Sequence, residues 1–421
     1  MSPRFTPLHD WHQSHGANMA EFGGYSMPLW YKGGAKGEHL AAITGAALFD
    51  TSHMALLTVE GKGAYALLQK CFSKDLDRCL VRGGPLVAGR SVYGVLLNTQ
   101  GFVVDDTIVS LVDDERFLMV VNAAMGATVR EHLLSFATAD VHIDDYTDQL
   151  GKIDLQGPAA GRILAKVLKN PEQVLDKLPY FAFKGDISPG HSSLVELTDS
   201  TPIMLSRTGY TGEFGFELFL PAERLVSSWE LLLAADPAVL PCGLAARDSL
   251  RAGAVLPLSH QDIGDWPFIA NPWSFALPWD ESGAGFTKEF TGAAALTGAA
   301  SRQHTLAFAG YDPRKIATGD KSRVTTLDGE DLGRILTCAT DMAIDRVDGV
   351  ITSIATPADA GRPPEFTPRG LCCGFILIDR YLPPGEKVLL TDGKRKLQVE
   401  IRTDIRPYRT ARKPLHEMLG K

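Results

Sequence analysis

Two adjacent carboxylates stand in the middle of an apolar stretch, Gly101-Phe102-Val103-Val104-Asp105-Asp106-Thr107-Ile108-Val109. A carboxylate among apolar neighbours is costly unless water, a donor or a cation meets it. Strand alternation sends Asp105 and Asp106 to opposite faces, so they are not expected to act as an acid/base pair, and one of them should face a wet or polar cavity. An edge strand carrying charge to block aggregation fits the same pattern. A second candidate is Arg207-Thr208-Gly209-Tyr210-Thr211-Gly212-Glu213-Phe214-Gly215-Phe216-Glu217-Leu218-Phe219-Leu220. Its two glycines around Tyr210 suit a tight loop that brings backbone close to a ligand. Period two then puts Phe214, Phe216, Leu218 and Leu220 on one face and Gly215, Glu217 and Phe219 on the other. Glu217 would wall a site for a flat ring with amide-like donors; a glycine-rich hairpin with a solvated Glu is the plainer alternative. In Gly243-Leu244-Ala245-Ala246-Arg247-Asp248-Ser249-Leu250-Arg251, helical spacing aligns Arg247 and Arg251 as forks for a carboxylate, with Asp248 expected to pair with neither. A surface helix with ordinary ion pairs reads the same way.

Other chemistries find no support. There is no Gly-x-Gly-x-x-Gly after a strand, no Walker loop, no His-Glu-x-x-His and no Gly-x-Ser-x-Gly. His9, His12 and His15 recur every third residue, but the segment ends at Gly16, and no metal site is expected. Cys71, Cys79, Cys242, Cys338, Cys372 and Cys373 lack Cys-x-x-Cys spacing and are expected to be reduced thiols of a cytoplasmic protein. Eight Lys or Arg between Lys394 and Lys413, against Glu400 and Asp404, form a basic tail expected to be a solvated face or a lure for an acidic partner.

The elements that would position these residues follow from periodicity. Ala55–Val59 alternates like a strand and Gly63–Phe72 has helical spacing. Strands are expected at Ser91–Leu97, Phe102–Leu111 and Arg116–Asn122, with a tight turn at Asn98-Thr99-Gln100-Gly101 and a helix over Ala123–Phe136. A helix is also expected from Glu38 to Ala47, within an opening segment of helix and loop. The second half repeats the style, with strands at Lys152–Gln156, Ser193–Glu196, Ile203–Arg207 and Phe214–Leu220, and helices at Ala159–Leu168 and Glu223–Ala235. From about Arg302, short apolar runs separated by Gly, Asp and Pro suggest a sandwich or barrel. The expected fold class is therefore α+β, with a body of residues 1–300 and a β domain of residues 301–421.

The length of 421 residues agrees with more than one domain, and 45% hydrophobic with 22% charged residues is the balance of a folded chain. A net charge of −8 opposes a protein built to coat nucleic acid. No run of about 18 apolar residues suggests a membrane span, and the N-terminus lacks a secretory pattern.

Taken in order, Thr6-Pro7-Leu8, Phe22-Gly23-Gly24-Tyr25, Met27-Pro28-Leu29, Phe49-Asp50-Thr51-Ser52-His53-Met54, Asn98 with Asp105-Asp106, Gln156-Gly157-Pro158, the Arg207–Glu217 block and Gly243–Asp248 resemble the T protein family, the aminomethyltransferases of the glycine cleavage system. The resemblance implies a cloverleaf of two interleaved ferredoxin-like units, one roughly 55–145, and a C-terminal antiparallel β-barrel around a hole that binds tetrahydrofolate. It implies that Asp106 is the essential carboxylate, and that Tyr93, Asn122, Tyr210, Glu217 and Arg247 hold the folate and nearby groups. It also implies a lipoylated H protein as partner and transfer of its one-carbon unit to the N5/N10 region of tetrahydrofolate, with release of ammonia.

Three departures bear on the donor. Gly253 stands where the family's Arg-Leu-Glu-Ala-Gly carries Glu; about three extra residues lie between Gln261 and Asn271; and Ala355–Arg369 replaces a short turn. All three are expected toward the substrate entrance. They motivate the alternative of a tetrahydrofolate-dependent demethylase acting on a small methylated molecule. A non-catalytic folate-binding relative would carry Lys-Gly-Cys-Tyr, which is absent here.

Overall fold

Alternating apolar residues make Ala55–Glu60 a strand buried on both faces, and Ala64, Leu67, Leu68 and Cys71 at helical spacing bury one side of the helix Ala64–Cys71 against it. The computed structural model of the chain describes residues 2–80, 83–188, 191, 193–297 and 303–420. The expected boundary at residue 300 and the expected start of the last region at Arg302 lie outside the described residues.

The strands Arg90–Leu97, Val103–Asp113, Arg116–Val121, Ala55–Glu60 and His142–Asp145 form an antiparallel five-stranded sheet in that spatial order. Without its first edge strand, this is the ferredoxin-like arrangement, completed by the helices Ala64–Cys71 and Gly126–Leu134. A second sheet runs Phe183–Lys184, Met204–Ser206, Gly215–Pro221, Leu150–Gln156, Ala46–Asp50 and Val239–Cys242. Ala46–Asp50 comes from the chain's beginning, ahead of the first sheet's strands, yet inserts between Leu150–Gln156 and Val239–Cys242. The helices Ala160–Val167 and Leu225–Ala235 cover this sheet through Ile163, Leu164 and the fully buried Trp229.

The two sheets meet across a shared apolar cluster. Leu56, Leu118 and Val120 of the first contact Leu150, Met204 and Phe219 of the second. The chain then closes a six-stranded antiparallel barrel, His304–Gly310, Leu371–Ile378, Asp331–Asp341, Arg323–Thr325, Lys387–Thr391 and Lys396–Arg402, with the last strand paired back to the first. Closure leaves no free edge. The fold is thus α+β, with a C-terminal antiparallel barrel as expected.

Three expectations need correction. The opening segment is not helix and loop alone: Arg4–Phe5, Asn18–Phe22 and Tyr25–Trp30 form a small sheet, and the helix at Gly34–Thr44 ends before the strand Ala46–Asp50. Gly45 ends that helix, and the all-apolar run behind it pairs at the centre of the second sheet. At 193–196 there is no strand, only an isolated bridge from Glu196 to Pro202. The basic tail is a solvated face only in part: Lys394, Arg395, Lys396, Arg412 and Lys413 are exposed, but the segment is not a tail throughout. Lys396–Arg402 is a barrel strand, and Arg406 is fully buried between Asp341 at 2.5 Å and Glu213 at 3.2 Å. No described helix is long and apolar enough to cross a membrane.

Candidate active site

The adjacent strands Arg90–Leu97 and Val103–Asp113 place Val95 opposite Asp106 and Tyr93 opposite Ile108. Tyr93 thereby reaches diagonally, and its hydroxyl donates to Asp106 Oδ2 at 2.8 Å. Asn122 follows directly on the third strand. Its Nδ2 donates to Asp106 Oδ1 at 2.7 Å and to Asp105 Oδ1 at 2.8 Å, while its backbone N–H donates to Asp105 Oδ2 at 2.9 Å. Ser259 adds a hydroxyl to Asp105 at 2.8 Å.

The alternation expected for the pair holds in burial: Asp105 is sealed, and Asp106 is half-buried and faces a cavity. The separation expected from it does not hold. One amide at the strand's end spans the pleat and ties both carboxylates together. Burial, followed by the charge on Asp106, pushes Asp105 up to about 7. Burial raises Asp106 as well, against the donors Tyr93 and Asn122. The pair therefore retains a proton into the neutral range.

The second sheet supplies the opposite wall. Leu150–Gln156 and Gly215–Pro221 pair with Asp154 opposite Glu217 and Lys152 opposite Phe219, so all four side chains share one face. Lys152 Nζ lies 2.5 Å from Glu217 Oε1 and 2.9 Å from Asp154 Oδ1. Thr208 donates to the other Glu217 oxygen. Asp154 Oδ2 accepts from Arg247 at 2.6 Å. Burial opposes the charge of Asp154, yet Lys152 and Arg247 outweigh it and hold this carboxyl at about 2. The Arg247 guanidinium also lies over the Tyr210 ring, 5.1 Å from its centroid, a cation–π contact. The Tyr210 hydroxyl donates to the Pro257 carbonyl. Gly209 is required by close approach, because a Cβ there would collide with the Gln156 amide.

Tyr93, Asp106, Asn122, Tyr210, Glu217 and Arg247 all border one cavity of about 840 Å³. That volume suits a cofactor-sized ligand. Arg251 joins the same wall, but its pairing differs from expectation. Asp248 reaches it at 2.8 Å, because residues three apart share a helix face. Arg251 also pairs with the buried Asp262.

Sequence reasoning missed Lys152, Asp154 and His53. Charged residues alternating with apolar ones in Lys152-Ile153-Asp154-Leu155 carried the same signal as Asp105-Asp106, buried charge within a strand. His53 lines the cavity, and burial pushes its imidazole down to about 4, leaving it neutral at pH 7. His12 bonds Asp50 at 3.1 Å and Tyr31 at 2.7 Å, His15 stacks on Trp11, and His9 packs on the Phe5 ring, so the three contact different partners. Among the described residues, no group of three or more His, Cys, Asp or Glu is arranged to hold a metal ion. Gly253 does not face the cavity. It packs against the buried Asp341–Arg406 pair rather than at an entrance.

Residues 8–268 match the family model described as the GCVT N-terminal domain. An aminomethyltransferase of Geobacillus kaustophilus is 37% identical over 262 residues, 62% of this chain and 66% of that protein. One of Bacillus cytotoxicus is 33% identical over 287 residues, 68% of this chain and 73% of that protein. The match thus spans about two thirds of the length of these curated relatives. The crystal structure of glycine cleavage system aminomethyltransferase T from Bartonella henselae superposes with a TM-score of 0.74 at 25% identity, covering 95% of this chain and 97% of that one.

Proposed function

The chain belongs to the GCVT N-terminal domain family, and on that premise we propose that it is a tetrahydrofolate-dependent aminomethyltransferase of glycine cleavage, served by a lipoylated H protein. The observation that carries this reading is the pairing, across one cavity, of a carboxylate held by Tyr93 and Asn122 with a second carboxylate, Glu217, on the opposite wall.

Each wall suits one half of the task. Glu217 keeps an unused lone pair on each oxygen beyond its bonds to Lys152 and Thr208, and a carboxylate accepts two parallel N–H groups well. A 2-amino-4-oxopyrimidine edge offers such a pair. Tyr210, fixed by Pro257 and Arg247, supplies a flat apolar face for the ring system. When bound, tetrahydrofolate supplies the amine that takes up the one-carbon unit. Asp106 then contributes a fixed negative charge where iminium-like positive charge develops, in a site shielded from water. Its raised pKa and its link to Asp105 through Asn122 also fit it to hold and return a proton.

The test is turnover with purified components. Incubation with aminomethylated H protein should release ammonia only when tetrahydrofolate is present. Ammonia release unaffected by omitting tetrahydrofolate, or no release with both present, would overturn the assignment.

A further inference from the structure

Lys152 is a buried cation of the cavity wall that the mechanism above leaves without a task. It is 2% exposed, and its ammonium borders the cavity beside Glu217. Two of its three N–H donors have strong acceptors, Asp154 Oδ1 at 2.9 Å and Glu217 Oε1 at 2.5 Å. The third has only weak acceptors, the Thr51 hydroxyl at a long 3.3 Å and the Met54 thioether sulfur at 3.9 Å. Thr51 is itself committed as a donor to Asp154 at 2.9 Å. The Lys152 backbone is fixed by strand pairing, and its ammonium lies over the Phe219 ring, 5.8 Å from the centroid, held there by its two carboxylate partners. The charges of Lys152, Arg247, Asp154 and Glu217 sum to zero, so a neutral ring binds here without stranding a charge.

We propose that Lys152 is a specificity-determining residue that donates to the ring carbonyl of a 2-amino-4-oxopyrimidine while its neighbour Glu217 accepts from the adjoining N–H groups. The inference rests on the folate reading and adds to it the discrimination between 4-oxo and 4-amino rings. A carbonyl at position 4 meets the ammonium as an acceptor. An amino group there presents donors to a donor-only cation, and a site with mismatched buried polar groups rejects such analogues strongly. Lys152 positions and selects; it touches no reacting atom.

The experiment is a calorimetric comparison of tetrahydrofolate with its 4-amino-4-deoxy analogue on the full chain, wild type against Lys152→Met. The variant should lose about 10- to 100-fold in affinity for the 4-oxo compound, the scale of one charged hydrogen bond. Its affinity for the 4-amino compound should hold or rise. Equal losses for both compounds would overturn the proposal and leave Lys152 a packing residue. Wild type that binds neither compound would remove the folate reading and the inference with it. Lys152→Gln keeps polar packing if Lys152→Met does not fold. Its amide can present either N–H or C=O, so the discrimination should collapse there too, and an unchanged ratio would refute the role.

Discussion

Tyr93 and Asp106 are joined across neighbouring strands, the phenol donating to Asp106 Oδ2 at 2.8 Å while Asn122 holds the other oxygen at 2.7 Å. Both bonds favour the charged carboxylate, and burial opposes it. Asp106 is therefore held in position and poised in protonation by the same two side chains. Asp106→Asn should leave folate affinity within a few-fold and lower turnover by at least ~10²-fold, the scale of one lost electrostatic stabiliser. Near wild-type turnover would remove Asp106 from the chemistry.

The same geometry predicts a pH effect. If the ionised Asp106 is the active form, turnover rises with pH through its pKa. Asn122→Ala removes a donor that favours the anion, so that pKa, and with it the rising limb of the profile, should move to higher pH. Tyr93→Phe should shift it the same way and lower turnover about tenfold. Rate measurements across pH 5–9 check both, and a limb that stays in place would show that another group sets it.

Glu217 is tested by binding rather than rate. Glu217→Ala removes the acceptor for a ring's N–H edge and leaves Lys152 with Asp154 as its only carboxylate partner. Folate affinity should fall by about 10- to 100-fold, and calorimetry that finds it unchanged would take Glu217 out of the site.

How far the sequence reached is clearest at these residues. Alternation alone assigned Glu217 and Phe219 to one face and flagged Asp105-Asp106 as expensive, because both signals are local to one strand. It could not show that Asn122 bridges the two carboxylates, since that contact depends on where the third strand ends relative to the second. Lys152 and Asp154 went unflagged within the expected strand Lys152–Gln156, and only the pairing with Gly215–Pro221 gives them a face. The insertion of Ala46–Asp50 into the second sheet is a long-range event, about 100 residues from its partner Leu150–Gln156, and no local pattern encodes it. Asp248 was misjudged for the opposite reason: its partner Arg251 is only three residues away on the same helix face, a local pairing that the helical spacing already contained.

Gly253 is where the family pattern expects Glu, and its surroundings explain the glycine. Any Cβ would collide with the Asp341 carboxylate and approach the Arg406 guanidinium. Asp341 is fully buried between Arg406 at 2.5 Å and His39 at 3.0 Å. Burial opposes its charge, but Arg406 and His39 hold its carboxyl well below the usual carboxylate range. Gly253→Ala should therefore cost about 1–3 kcal/mol by overpacking, read as a lowered Tm. Arg406→Met leaves Asp341 and Glu213 buried without their cation and should cost about 3–5 kcal/mol. A depressed folded pKa contributes stability above the unfolded value of about 4 and loses it as pH falls through the folded value. Arg406→Met weakens that depression, leaving only His39 beside Asp341, so acid unfolding should begin at higher pH than in wild type. A Tm and an acid midpoint both unchanged in Arg406→Met would mean that the pair contributes nothing to the fold.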